Sequence, residues 1–131
     1  MLREYEITFI TRSDLPESDF LGVLAKYEKY MTDDGGEILK KDLWGSRKLT
    51  FPINNQHRGN YAVYDFAGLS GNLTEMERLM RIDENVLRYL SVLVNKRVDV
   101  AKRKIEITKE AADAKEREAA AREAAEDMGR D

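Results

Sequence analysis

The sequence predicts one α+β domain with the element order βαββαβ, followed by a charged, alanine-rich segment. Three observations favour this order. Four stretches have the apolar alternation or β-branched content of strands, two others repeat apolar residues at helical spacing, and turn-forming residues separate them. The 131 residues are enough for one compact domain and little more.

The first strand and the first helix are predicted near the N-terminus. Tyr5, Ile7 and Phe9 alternate with polar residues, which predicts a strand with one buried face. Residues 14–17 (DLPE) are typical of a helix start, because proline is tolerated and acidic residues are favoured in the first turn. The apolar stripe of this helix is Phe20, Leu24, Tyr27 and Met31. Residues 33–36 (DDGG) end the helix.

The second strand is predicted over residues 37–49, and after a polar loop at residues 54–59 the third strand begins at Asn60. One face of the third strand carries Ala62, Tyr64 and Phe66, and the other carries Tyr61, Val63 and Asp65. The second helix follows residues 70–72, with a stripe of Leu73, Met76, Leu79 and Met80, and the last strand covers residues 86–94. Two helices on one face of a four-stranded antiparallel sheet form the ferredoxin-like arrangement, which leaves the other face open for binding.

The composition changes sharply near residue 98, which predicts a domain over residues 1–98 and a tail over residues 99–131. Nearly all residues from Glu110 to Asp127 are Ala, Glu, Asp, Lys or Arg. These are mostly good helix formers, yet alanine makes no apolar stripe that docks strongly on a core. We therefore expect a solvent-exposed helix or a disordered tail, and a helix that orders on a partner is the alternative.

The sequence offers little for catalysis. It has no cysteine, which excludes disulfides, thiolate metal sites and thiol nucleophiles, and its single histidine excludes any site that needs two imidazoles. The phosphate-binding, dinucleotide-binding and serine-hydrolase motifs are missing from the sequence. We expect a non-enzymatic protein with no catalytic residues, no metal and no cofactor. Because the N-terminus lacks a secretory pattern and no apolar stretch is long enough to span a bilayer, we expect a cytoplasmic protein without a membrane partner.

The formal net charge of −3 is unusual for a protein that would bind nucleic acid alone. A local basic cluster or a basic partner would have to supply the positive charge. One such cluster spans residues 45–53 and 57–59, where Arg47 and Lys48 end a strand and His57 and Arg58 lie across a hairpin. These four side chains could contact phosphates together beyond the sheet edge, and a solubilising loop is the alternative.

A second cluster, residues 81–88 (RIDENVLR), is a predicted helix-to-strand junction that contains Arg81 and Arg88. The alternative here is a turn whose acidic residues pair with its own arginines. Trp44 lies inside the second predicted strand, where packing in the core or at an interface is expected.

These segments together resemble a known family. The βαββαβ order, the G-x-R-K-L-x-aromatic-P-I segment at residues 45–53, and the R-I-x-x-N-V-x-R-Y segment at residues 81–89 resemble the bacterial small-subunit (30S) ribosomal protein six family. The opening R-E-Y-E at residues 3–6 is also similar to that family. The resemblance covers about residues 3–97. It departs at Thr50 and Phe51, where the family usually has a small residue and tyrosine.

The resemblance implies a structural, RNA-binding role in the small ribosomal subunit. It implies a heterodimer with the small, basic eighteenth protein of the same subunit, and binding of the pair to the central domain (the platform) of small-subunit ribosomal RNA. Arg47, Lys48 and Arg88 match basic positions of the family segments, so the resemblance implies that they contact RNA or the partner. His57 and Arg58 are added to this candidate site from the hairpin geometry.

Two other classes of protein share the βαββαβ order. An RNA-recognition-motif protein binds single strands on aromatic residues of its middle strands, but residues 58–63 (RGNYAV) match its third-strand signature poorly. A ferredoxin-like small-ligand sensor, or a small hydrolase such as an acylphosphatase, would need an anion-binding loop before the first helix. Residues 11–16 (TRSDLP) supply one arginine and no glycine for such a loop.

Overall fold

The structure is a computed structural model that describes residues 2–128. Its elements are β1 (Arg3–Arg12), α1 (Glu17–Thr32), β2 (Glu37–Ile53), β3 (Gln56–Gly68), α2 (Ser70–Ile82), β4 (Val86–Asn95) and α3 (Val100–Met128), with a short 3-10 turn at Asp33–Gly35. The chain divides after Val100 into two compact units, the first holding β1 to β4 with α1 and α2, and the second beginning at Ala101.

The first unit is built on a four-stranded antiparallel sheet in the order β2-β3-β1-β4. The alternation in β1 places Tyr5, Ile7 and Phe9 on the buried face, as predicted. In the β1–β3 register Phe9 lies opposite Ala62 and Ile7 opposite Tyr64, so the predicted buried faces of the two central strands coincide. This confirms the ferredoxin-like fold.

The two helices of this unit bury the stripes that their spacing predicts. Leu24, Tyr27 and Met31 of α1 and Met76 and Met80 of α2 join the sheet residues in one hydrophobic core. Phe20, Leu73 and Leu79 pack partly buried against it. Burial of these side chains is the main stabilising contribution, at about 1.5–3 kcal/mol for each large apolar group.

The hairpin between β2 and β3 is longer than the sequence indicated. The predicted loop at residues 54–59 is wrong, because the structure has a two-residue turn at Asn54 and Asn55 and β3 begins at Gln56. Both asparagines have positive φ, 48° and 64°, which is the geometry of a type I′ hairpin turn and one that asparagine tolerates. Strand β2 accordingly extends to Ile53, which pairs with Gln56.

Residues 100–128 form the single long helix α3. Among residues 100–126 no side chain is fully buried, and Val100, Arg103 and Ile107 are half-buried. The helix follows from a composition rich in Ala, Glu, Lys and Arg rather than from an apolar stripe.

Candidate nucleic-acid interface

The distal part of the β2–β3 hairpin extends beyond the central strand β1. The β1–β3 ladder ends where Arg12 pairs with Gly59, so residues 56–58 of β3 lie past the last β1 pair. A Cβ atom at Gly59 would lie 2.3 Å from Ile10 Cγ2 and 3.7 Å from Leu49 Cδ2. Ile10 and Leu49 are both buried. This close packing fixes the base of the hairpin and therefore the position of its tip.

The four hairpin residues of the candidate site are exposed, and the pleat divides them between the two faces of the hairpin. Lys48 pairs directly with Arg58, so these two side chains share one face. Arg47 pairs with Gly59, which places Arg47 and His57 on the other face. The hairpin thus presents two pairs, Lys48 with Arg58 and Arg47 with His57, rather than one row of four.

A serine on the neighbouring strand orients the Arg58 guanidinium. Its Nε donates to Ser46 Oγ at 2.9 Å, and its Nη2 donates to the Ser46 carbonyl oxygen at 3.2 Å. Because two bonds hold the planar group, less side-chain entropy is lost when Arg58 binds an anion.

Arg88 lies on the opposite edge strand, at the same end of the sheet as the hairpin. It pairs with Ile10, and Ile10 pairs with Tyr61, so one row crosses the sheet from Arg88 to β2. Three strand spacings, roughly 14 Å, separate its two ends. The side chain of Arg88 is exposed on the sheet face opposite to the one that α1 and α2 cover, which we call the open face.

The junction before Arg88 is held by α1 rather than by its own arginines. Asp83 Oδ2 accepts hydrogen bonds from Tyr27 Oη at 2.5 Å and from Lys26 Nζ at 3.4 Å. Asp83 Oδ1 accepts from the Asn85 N–H at 2.9 Å. Burial alone would raise the pKa of Asp83, but these hydrogen bonds and the Lys26 charge outweigh it and lower the pKa below its ordinary value. Burial first, and then the bond to Asp83, raise the pKa of Tyr27.

The structure brings together two aromatic residues on the open face, and nothing in the sequence indicated that they are in contact. Trp44 stacks on Tyr61 with ring centroids 5.5 Å apart, and its Nε1 donates to Asp42 Oδ2 at 3.1 Å. Trp44 occupies a bulge before Gly45, whose φ of +77° favours glycine. At 47% exposure Trp44 is not a core residue, so the expectation of core packing is wrong and the expectation of an interface stays a prediction.

Two apolar side chains of the edge strand β4 also lie on the open face. Leu90 pairs with Thr8 and is 66% exposed, and Val92 pairs with Glu6 and is 51% exposed. Exposed apolar side chains that adjoin one another mark interaction surfaces more often than isolated ones do. The sequence already indicated this position, because residues 88, 90 and 92 alternate along β4 and therefore share one face of the strand.

Residues 2–128 contain no group of three or more histidine, cysteine, aspartate or glutamate side chains able to hold a metal ion. None of the described helices has the length and apolar content needed to cross a membrane. The loop before α1 does not leave Arg12 open to an anion, since its guanidinium pairs with Asp14 at 3.0 Å.

Comparison with known proteins gives one consistent result. The sequence profile of the family described as Ribosomal protein S6 matches residues 4–93. Small ribosomal subunit protein bS6 of Desulfatibacillum aliphaticivorans is 34% identical over 108 residues, which are 82% of this chain and 58% of that protein. The bS6 protein of Geotalea uraniireducens is 38% identical over 100 residues, which are 76% of this chain and 78% of that protein.

A solved structure agrees with these sequence matches. The crystal structure of 30S ribosomal protein S6 from Thermotoga maritima superimposes with a TM-score of 0.66 and 26% sequence identity. The superposition covers 82% of this chain and 99% of that one. The Desulfatibacillum aliphaticivorans protein is longer than this chain, and the matched region spans 58% of its length.

Proposed function

The chain belongs to the ribosomal protein S6 family, and we propose that it binds the central domain of small-subunit ribosomal RNA as a heterodimer with the basic eighteenth protein of that subunit. Members of this family are structural, non-enzymatic components of the bacterial small ribosomal subunit. The protein is accordingly associated with ribosomes in the cytoplasm.

The observation that carries the RNA-binding part of the proposal is the Lys48–Arg58 pair. Two exposed cations lie directly opposite each other at the projecting end of the hairpin, where a phosphate can approach without desolvating the core. Arg47 and His57 extend the basic surface to the other face of the hairpin. Arg88 adds a fifth group at the same end of the sheet.

The charge balance supports the need for a partner. Residues 1–98 carry 14 lysines and arginines against 15 aspartates and glutamates, so the domain is close to neutral. Since phosphate neutralisation supplies most of the sequence-independent affinity for RNA, five exposed groups on a neutral domain predict weak binding alone. A basic partner would supply the remaining charge, and the exposed Leu90 and Val92 give a protein partner an apolar surface to cover.

An RNA-recognition-motif mode is the second candidate, and the open face argues against it. That mode stacks bases on aromatic side chains of the two middle strands. Here the open face of β1 carries Glu6, Thr8 and Ile10, while that of β3 carries Tyr61 and Val63. Tyr61 already stacks on Trp44, so the central strands offer a single aromatic position.

The proposal is tested by titrating a central-domain transcript with the full chain, first alone and then with the eighteenth protein. We expect weak binding alone and an affinity that rises by orders of magnitude with the partner. Tight binding without the partner, or none with it, would contradict the proposal. Co-sedimentation with ribosomal subunits separates it from a small-ligand sensor or an acylphosphatase-like hydrolase, which would stay in the supernatant.

A further inference from the structure

Charge is segregated along α3. Residues 100–109 contain four lysines and arginines and one glutamate, whereas residues 110–127 contain three basic and seven acidic residues. The first third of the helix therefore has a formal charge of +3 and the remainder, up to residue 127, a charge of −4. The net charge of the helix is therefore close to zero although its two segments are oppositely charged.

This order of charges opposes the stability of the helix. The N-terminus of a helix carries a partial positive charge and the C-terminus a partial negative one, so acidic residues are favoured first and basic residues last. In α3 the first turn has no acidic residue and the last turn no basic one. Asp99 directly precedes the helix and favours its N-terminus, but the three basic residues at positions 102–104 outweigh this single acidic group. Natural proteins depart from such local rules at functional sites.

Three lysines of the positive segment surround one exposed apolar residue. Lys102, Ile105 and Lys109 are spaced three and four residues apart, which places them on one side of the helix, and Lys104 adjoins Ile105. All three lysines are exposed, and Ile105 is 70% exposed. We call this surface the basic face of α3.

Arg103 belongs to a different side of the helix. Its Nη1 lies 3.3 Å from Glu106 Oε2 and 3.7 Å from Glu110 Oε1. It is half-buried, whereas the lysines of the basic face are exposed. The basic face is therefore the more solvent-exposed basic surface of this segment.

We propose that the basic face of α3 binds the phosphate backbone of small-subunit ribosomal RNA. This inference rests on the proposed function, because α3 would meet the RNA only if the chain binds it. Phosphates bound at Lys102, Lys104 and Lys109 would neutralise the charges that oppose the helix dipole, so binding and helix formation would reinforce each other. Charge alone would suit RNA or an anionic membrane, and RNA is favoured because Ile105 alone offers little apolar area for insertion into a bilayer.

The test compares the full chain with the variant K102A/K104A/K109A, each bound to a central-domain transcript together with the eighteenth protein over a series of salt concentrations. Alanine is the best helix former, and its introduction removes charges that oppose the dipole, so the variant keeps or gains helix. We expect the slope of log K against log salt to become shallower by about two to three units, with an affinity loss of about tenfold or more at 0.1 M salt.

A matched control is K115A/R117A/R122A, which removes the same charge from the acidic segment. We expect its slope to equal that of the unaltered chain. Equal slopes for all three proteins, or equal losses in both variants, would overturn the inference while leaving the proposed function intact. If the unaltered chain with its partner does not bind the transcript at all, the proposed function and this inference fall together.

A shallower salt slope in K102A/K104A/K109A, with an unchanged slope in the control, supports the basic face as the phosphate site. Helicity measured by far-ultraviolet circular dichroism gives an independent check on the same preparations. We expect it to rise when RNA is added to the unaltered pair and to change less with the first variant. If helicity rises when an acidic protein is added but not when RNA is added, the basic face binds a protein partner and the inference is overturned.

Discussion

Lys48 and Arg58 are direct cross-strand partners near the tip of the β2–β3 hairpin, and both are exposed. Like charges placed opposite each other destabilise an antiparallel pair by some tenths of a kcal/mol to about 1 kcal/mol. The two hydrogen bonds from Arg58 to Ser46 fix the guanidinium, which limits its movement away from the like charge of Lys48. The hairpin thus retains a local electrostatic cost that a bound phosphate would offset.

Lys48→Ala separates the two consequences of this pair. The substitution removes the repulsion, so the free energy of unfolding should stay the same or rise by up to about 0.5 kcal/mol. Binding to the central-domain transcript with the partner should weaken, and its salt slope should become shallower by about one unit. The measurements are urea unfolding of the free protein and a binding titration at two salt concentrations.

Lys29→Ala is the control for Lys48→Ala. Lys29 is an exposed lysine in the last turn of α1, so its removal changes the net charge equally without touching the hairpin. Its salt slope should match that of the unaltered chain. If Lys48→Ala also matches, the hairpin is a solubilising loop and Arg88 is left as the candidate from the second cluster.

Trp44 gives a direct optical test of the open face, because it is the single tryptophan of the sequence. Half-exposed on Tyr61, it should emit at long wavelength in the free protein. When the eighteenth protein binds, we expect a shift to shorter wavelength as water leaves the indole. Leu90→Ser should reduce the affinity that this shift reports, at little cost to stability, because Leu90 is exposed on the same face. An unchanged spectrum on complex formation would place the partner elsewhere.

The fold was predictable because its core depends on periodicity. Tyr5, Ile7 and Phe9 alternate with polar residues, and the stripes of α1 and α2 repeat at helical spacing, so burial followed the sequence pattern. The start of β3 was not predictable in the same way. Polar residues at 54–59 read as a loop, whereas pairing across β2 and two asparagines with positive φ made a tight turn.

The candidate site was predictable as a set of residues but not as an arrangement. Arg47 and Lys48 are neighbours in sequence, and the pleat sends them to opposite faces of the hairpin. The Trp44–Tyr61 stack depends on a bulge that shifts the β2–β3 register, and a bulge leaves no periodic signal in the sequence. Contacts that depend on the register between strands can be predicted only when the pairing of the strands is known.

Deletion of residues 99–131 should change the melting temperature of the free protein by no more than a few degrees. Among residues 100–126 no side chain is fully buried, so little apolar area is lost. The cut after Val98 preserves a buried side chain and the bond from its N–H to the Leu2 carbonyl oxygen at 3.0 Å. Differential scanning calorimetry measures the effect, and a deletion that starts at Val98 should lower the melting temperature further. A large drop for the shorter deletion would show that the tail stabilises the domain.

Tyr27→Phe tests the bond that fixes the junction before Arg88. The ring keeps its place in the core, and only the hydroxyl that donates to Asp83 at 2.5 Å is lost. A hydrogen bond to a charged acceptor contributes roughly 1.5–3 kcal/mol, so we expect a destabilisation of about that size at pH 7. Tyr89→Phe is the control, because the Tyr89 hydroxyl accepts a long, 3.5 Å bond from Arg81. Tyr89→Phe should lower the free energy of unfolding clearly less than Tyr27→Phe does.

The same substitution should alter the acid limb of the stability curve. The pKa of Asp83 is lowered in the folded protein, so its contribution is fully present above the unfolded value of about 3.9. That contribution disappears as the pH falls from there through the lower folded pKa. Without the Tyr27 hydroxyl the folded pKa should rise towards the unfolded value, and stability should depend less on pH below about 4. Urea unfolding of both proteins between about pH 2.5 and 7 measures this, and parallel acid limbs for Tyr27→Phe and the unaltered chain would rule out Asp83 as the charged acceptor.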